Sequence, residues 1–387
     1  MNPVNLDHIS SSHLLPEVQE AMIELIKDFR GNPSSQNMAG EKAGERLAKA
    51  RESVAGLLGC APKEVVFESC GTESVNHAIK GVARAHVDKG KHIVTSNIEH
   101  NAVNRSIKRL MQLGWKATSV PVDDKGRVNP ADVEKAIRDD TVLVTIMHSN
   151  NEIGTIQPIS EISEITRKKG VLLHTDAVDS VGVIPFDVGQ MGADLVSFGS
   201  NSFYGPTGVG GLYIRKGTKI WPIMDGGIQE HNRRAGTENL IGIVGMGVAA
   251  DLARQHMDER VNHLEKLKSL LLRELPKYID EYLINGDVEN GLPNLVSLSV
   301  KYVEGESLML MLEDAGYTVA TRSACATGSL RASHVLMSIG LDHADAQGTL
   351  VITPGIENTE EDVMGFLAAL GDIVKSLRDI SPLYKNR

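Results

Sequence analysis

From about residue 60 to residue 215, short β-rich runs alternate with helix-length amphipathic segments, and this alternation restricts the fold more than any other feature of the chain. Strands that return in the same direction need a long crossover, usually a helix, so the pattern predicts an α/β unit whose parallel sheet is covered by helices on both faces. The predicted strands are Val65-Phe67, His92-Ser96, Val142-Met147, Val171-His174, Leu195-Phe198 and Gly211-Ile214. Most are continuous apolar runs rather than alternating ones, as burial on both faces requires. In sheets of this kind the ligand site lies beyond the C-terminal ends of the strands.

A long helix should follow, because Val261, Leu264, Leu267, Leu271 and Leu275 recur at spacings of three and four and form one apolar stripe before Pro276. Beyond it, a strand at Leu295-Val300 and helices at Glu306-Glu313 and Glu361-Leu377 read as α+β. A chain of 387 residues, 41% hydrophobic, can bury two cores. We therefore expect a large α/β domain over 15–255 and a smaller α+β domain built from 1–14 and 256–387. The net charge of -10 is spread without a long like-charge run, so neither a nucleic-acid footprint nor an acidic tail is expected. No stretch reaches the ~18 apolar residues of a membrane helix and the N-terminus lacks signal-peptide features, which predicts a cytoplasmic protein with no membrane contact. Three cysteines, Cys60, Cys70 and Cys325, form neither a disulfide framework nor a spaced zinc motif, so their chemistry would be that of free thiols.

Four polar clusters fall at predicted strand ends. Glu68-Ser69-Cys70-Gly71-Thr72-Glu73 turns from a strand into a helix, where free N–H groups and the helix dipole favour phosphate, although many such turns bind nothing. His174-Thr175-Asp176 ends a buried strand on a carboxylate that needs a cationic partner; a protonated pyridine nitrogen would serve, but a lone aspartate more often caps a helix or forms a salt bridge. Glu99-His100-Asn101 and His148-Ser149-Asn150-Asn151-Glu152 could supply a ring-stacking imidazole and a hydrogen-bonding amide, and singly each residue is as well explained by structure. Arg322-Ser323-Ala324-Cys325-Ala326-Thr327-Gly328-Ser329 mounts a cysteine among small polar residues, the composition of a mobile nucleophile rather than of a buried thiol.

Taken in order, these segments resemble the NifS/IscS-type cysteine desulfurases, class V members of the fold-type I pyridoxal-phosphate (PLP) enzymes. The likeness spans nearly the whole chain and includes Gly31-Asn32-Pro33-Ser34-Ser35, Thr72-Glu73-Ser74, Glu99-His100, Asn150-Asn151-Glu152-Ile153-Gly154-Thr155, His174-Thr175-Asp176, Tyr204-Gly205-Pro206, Ala235-Gly236-Thr237-Glu238-Asn239, Gly305-Glu306-Ser307, Ser323-Ala324-Cys325 and Ser381-Pro382-Leu383. The resemblance implies a PLP-transferase fold, with Asp176 on the pyridine nitrogen, His100 stacked on the ring, Asn151 at the phenolic oxygen and Thr72 at the phosphate. It implies that Thr237 reaches the phosphate of the other subunit of a homodimer. Cys325 is implied as the thiol that accepts sulfur as a persulfide, with an iron–sulfur scaffold or other sulfur-acceptor protein as partner.

The sequence departs from the family in the same pocket. Where the family has a histidine-lysine pair, this chain has Asn201 and Ser202, and a hydroxyl cannot form the Schiff base. A phosphate-binding serine becomes Gly199, a glutamine becomes Asp179, the turn glycine becomes Cys70, and the arginine expected to hold the substrate carboxylate becomes Ile356. Three readings follow. The first is a desulfurase-like protein with its lysine chemistry lost or impaired, in which Cys325 carries sulfur or ligates an iron–sulfur cluster. The second is an active desulfurase holding PLP noncovalently. The third is a repurposed pocket in which Cys70, Asp179 and Cys325 bind a metal or another small molecule.

Overall fold

A computed structural model describes residues 3–28, 31–321 and 332–385. Its larger sheet has seven strands: β1 (Val65–Glu68), β2 (His92–Ser96), β3 (Lys116–Val120), β4 (Thr141–Thr145), β5 (Leu172–Asp176), β6 (Leu195–Gly199) and β7 (Gly210–Ile214), in the spatial order β1-β7-β6-β5-β4-β2-β3. The neighbours from β6 to β3 all pair parallel. The parallel expectation fails at one strand: β7 runs antiparallel between β1 and β6, because the connection from β6, residues 200–209 with one short 3-10 turn at Asn201–Phe203, holds no crossover helix.

The principal helices are α1 (Pro16–Asp28), α2 (Met38–Leu58), α3 (Gly71–Ala85), α4 (Asn101–Met111), α5 (Pro130–Ala136), α6 (Ile159–Lys169), α7 (Leu240–Gln255), α8 (Met257–Glu274), α9 (Gly305–Asp314) and α10 (Glu360–Ile380). Side chains alternate across each strand, so adjacent residues enter different cores. Phe67, Val94 and Val144 pack with Val54, Ile162 and Met246 of α2, α6 and α7, whereas Val66, Ile93 and Leu143 pack with Val75 and Ile79 of α3 and Ile107 of α4. Both faces of the central strands are therefore buried, and the polar ends of β1, β2, β4, β5 and β6 converge along one edge.

A separate core joins Leu267 and Leu271 of α8, Leu308 and Leu312 of α9 and Phe366 and Leu370 of α10 to an antiparallel sheet. That sheet comprises β8 (Tyr282–Asn285), β9 (Val296–Val300), β10 (Ala320–Thr321) and β11 (Thr349–Ile352), in the order β10-β11-β9-β8. The N-terminus joins the same core: Val4–Asn5 pairs with Tyr317–Thr318 in a separate two-stranded sheet, and Leu6 is fully buried there. Among the described residues no helix is long and apolar enough to cross a membrane.

Candidate active site

Five strand ends build the site. β1 ends at Glu68, and α3 starts directly after Cys70, which occupies the N-cap position with extended backbone (φ -175°) but whose side chain makes no capping hydrogen bond. Gly71 is required there, since a Cβ would stand 2.3 Å from Val178 Cγ2. β2 delivers Glu99 and His100; the latter caps α4, its Nδ1 accepting from the Ala102 N–H at 3.1 Å. That bond leaves Nε2 to carry the proton in the neutral ring. Asn150, after β4, is structural: its Oδ1 accepts from the Glu152 and Ile153 N–H groups and its amide donates to the Ile98 carbonyl, which sets the turn displaying Asn151.

These elements enclose a cavity of about 270 Å³ lined by Cys70, Gly71, Thr72, His100, Asn151 and Asp176, together with Val178, Asp179 and Asn201. Four predicted site residues, Thr72, His100, Asn151 and Asp176, thus meet in one place. Thr237 does not; it is exposed and lines a different hollow with Arg234 and Asn239. Cys325 lies outside the described residues. His148, considered above as a stacking group, is buried elsewhere against Phe186, with its Nδ1 2.8 Å from Ser180 Oγ. Ile9 and Ser10 also line the cavity, and no sequence signal announced their arrival from the N-terminal segment.

Burial dominates the electrostatics. Asp176 is 6% exposed and accepts a hydrogen bond from Val178 N at 3.2 Å, and burial pushes its carboxyl up to about 6. Behind it Glu99 is fully buried; its Oε1 accepts from Ser96 Oγ and from Met147 N, while Oε2 has no partner. Burial, with a smaller contribution from the nearby Asp176 charge, raises Glu99 to about 8, so it is a neutral acid at pH 7. His174, two residues before Asp176 on β5, is held between Thr145 and Ser197 and depressed to about 3 by burial, so it is neutral as well.

Could this cavity hold a pyridoxal cofactor? A buried carboxylate at one end and a helix N-terminus with Thr72 at the other fit the protonated ring nitrogen and the phosphate of a noncovalently held group. Its attachment is a different matter. Among the described residues no lysine or arginine lines the cavity. In the turn after β6, the Ser202 hydroxyl donates to the carbonyls of Val181 (3.0 Å) and Gly199 (3.2 Å). A Cβ on Gly199 would stand 2.9 Å from Asn201 Oδ1, so the Asn201 amide occupies the space that a serine at 199 would need. Ile356 does not line this cavity: its N–H donates to Tyr204 Oη at 2.9 Å, and its side chain lines a neighbouring cleft. Among the described residues no group of three or more His, Cys, Asp or Glu side chains is placed to hold a metal ion.

The comparisons with known proteins agree with this geometry. The aminotransferase class-V family model matches residues 4–366. The chain is 48% identical to cysteine desulfurase IscS of Dictyoglomus turgidum over 98% of this chain and 96% of that protein. It is 45% identical to the Methanosarcina thermophila protein of the same name, over 98% and 94%. Among solved structures, a NifS-like protein superposes with a TM-score of 0.91 at 39% identity, covering 97% of this chain and 100% of that one. SspA in complex with cysteine gives 0.80 at 31%, covering 92% and 100%. The fold, the strand-end cavity and these matches together place the chain in the class V aminotransferase family, within its NifS/IscS cysteine desulfurase branch.

Proposed function

We propose that the chain is a sulfur-transfer protein of the cysteine desulfurase type, acting in iron–sulfur cluster assembly, in which lysine-dependent cleavage of cysteine is lost or severely impaired. Cys325 is the functional thiol, as a persulfide carrier or a cluster ligand. The observation that carries this reading is the turn after β6: Ser202 stands where the resemblance puts the Schiff-base lysine, its hydroxyl is committed to two backbone carbonyls, and no lysine among the described residues lines the cavity. A serine can neither form an imine nor move protons as an amine does.

Persulfide exchange needs none of that machinery. The Cys325 thiolate attacks the terminal sulfur of a donor persulfide, a new S–S bond forms as the donor's breaks, and the donor leaves as a thiolate. Transfer to an acceptor thiol repeats the exchange. The acceptor in this reading is an iron–sulfur scaffold or related sulfur-acceptor protein in the cytoplasm. Thr237, exposed and outside the lining of its own chain's cavity, would reach the site of a second copy in a homodimer. The test offers a persulfide donor or a cluster-loaded scaffold to the wild type and to Cys325→Ser; identical behaviour of the two sinks the reading.

The shared placement of Thr72, His100, Asn151 and Asp176 favours a second reading, a desulfurase that holds PLP noncovalently. When bound, that group supplies an electron sink for bonds at a substrate's α-carbon. Asp176 would pair with the ring nitrogen and His100 would cover the ring face. Sulfide release from cysteine that depends on added PLP and disappears in Asp176→Asn would support this reading; saturating PLP that leaves no chromophore on the protein would remove it.

A further inference from the structure

A second concavity, of about 320 Å³, opens where α1, α7 and α8 meet. Its walls come from parts of the chain far apart in sequence. Leu15 and Glu17 lie at the start of α1, Leu252 near the end of α7, Arg260 in the second turn of α8, and Ile356 in the loop before α10.

Arg260 is the unusual member. It is only 7% exposed, yet its Nη1 has no hydrogen-bond partner among the described residues. Its guanidinium carbon lies 5.6 Å from the centre of the Tyr204 ring, a contact that offsets part of the cost of burial without using the N–H groups. A guanidinium carries five donors in a planar fork, and leaving one buried and unused is expensive. The two histidines and Glu259 are engaged: His256 Nδ1 lies 3.0 Å from Glu259 Oε2, and His263 Nε2 lies 3.0 Å from the Asn358 carbonyl.

We propose that this cleft binds a small monocarboxylate with an apolar body, the carboxylate on the Arg260 guanidinium, whose sealed Nη1 a small side-chain shift uncovers, and the body against Leu15, Leu252 and Ile356. An arginine fork matches the two oxygens of a carboxylate and excludes nothing behind them, so the apolar walls decide what the anion must carry. A phosphate fits poorly. Its further oxygens would find no other unused cation, and the Glu17 and Glu259 carboxylates lining the cleft would repel a dianion. The same recognition serves a simple branched-chain acid or a free apolar amino acid, whose ammonium group Glu17 would meet.

Calorimetric titration of the full chain with 4-methylpentanoate, L-leucine and inorganic phosphate separates these sources. At least one of the two organic ligands should bind saturably and phosphate more weakly; L-leucine as the tighter ligand would identify the amino acid, 4-methylpentanoate the simple acid. Arg260→Lys keeps the charge but not the fork and should weaken binding about tenfold, with melting confirming the fold. Glu17→Gln, at an exposed position, should tighten 4-methylpentanoate about threefold by removing a like charge and weaken L-leucine by removing the ammonium's partner. Absence of saturable binding of both organic ligands, preference for phosphate, an unchanged affinity in folded Arg260→Lys, or unchanged affinities in Glu17→Gln would each overturn the proposal.

Discussion

Glu99 makes a testable demand on stability. Its carboxyl is raised from 4.5 to about 8 because it is fully buried, with one oxygen satisfied by Ser96 and Met147 and the other unpartnered. A group that binds its proton more tightly in the folded state favours folding fully at low pH. That advantage falls away as pH rises from the unfolded value near 4.5 and is exhausted above about 8. At ~1.4 kcal/mol for each tenfold change in proton affinity, the loss has a ceiling on the order of 5 kcal/mol between pH 4 and pH 9. Glu99→Gln keeps the acceptor for Ser96 and Met147 and removes the ionisation. The variant should therefore match the wild type or fall slightly below it at pH 5 and exceed it by a few kcal/mol at pH 9. Urea midpoints at pH 5, 7 and 9, at one fixed protein concentration, read this directly. A wild-type-to-variant difference that does not change with pH would refute the reasoning, because Glu99 would then ionise alike in both states.

Three further outcomes follow from the same structure. Ser202→Lys should yield an imine with added PLP that borohydride reduces to a permanent adduct detectable by mass; no adduct would mean that the turn cannot present an amine to the cavity. Gly71→Ala should lower thermal stability, because its Cβ would stand 2.3 Å from Val178 Cγ2, and Gly71→Ala/Val178→Ala should recover most of the loss, a non-additive pair readable in one melting series. Arg51→Met should cost about 3–5 kcal/mol in urea unfolding, since it leaves Glu230, bonded through both oxygens to Arg51 at 2.6 and 2.7 Å, as an unpaired buried charge; a loss within the scatter of surface substitutions would show that Phe67 N–H alone sustains it.

Much of the sheet could be read from the sequence because its strands are buried on both faces. His92–Ser96 was predicted with its observed limits, and the others differ by one or two residues at their ends. Lys116–Val120 escaped because it is the edge strand, paired on one side only and half exposed, so it has no apolar run to betray it. The direction of β7 could not be read either: an apolar run shows that a strand is buried, not which way it points. For the site, the clustering of polar residues at strand ends was informative, and Asp176, His100, Thr72 and Asn151 do meet. Single residues misled where the backbone turned them away, as at His148, whose ring packs on Phe186 instead of facing the cavity. The Arg260 cleft was invisible in the sequence, since an arginine on an amphipathic helix reads as surface charge until tertiary packing buries it.

The most direct test of the account is intact-mass analysis of Cys325 after separate exposure to a small-molecule persulfide and to L-cysteine with excess PLP. One added sulfur is expected at Cys325 from the persulfide and none from L-cysteine. Sulfur acquired from L-cysteine would contradict it by showing that the chain cleaves cysteine without the lysine, and a Cys325 left unmodified by the persulfide would remove its role as carrier.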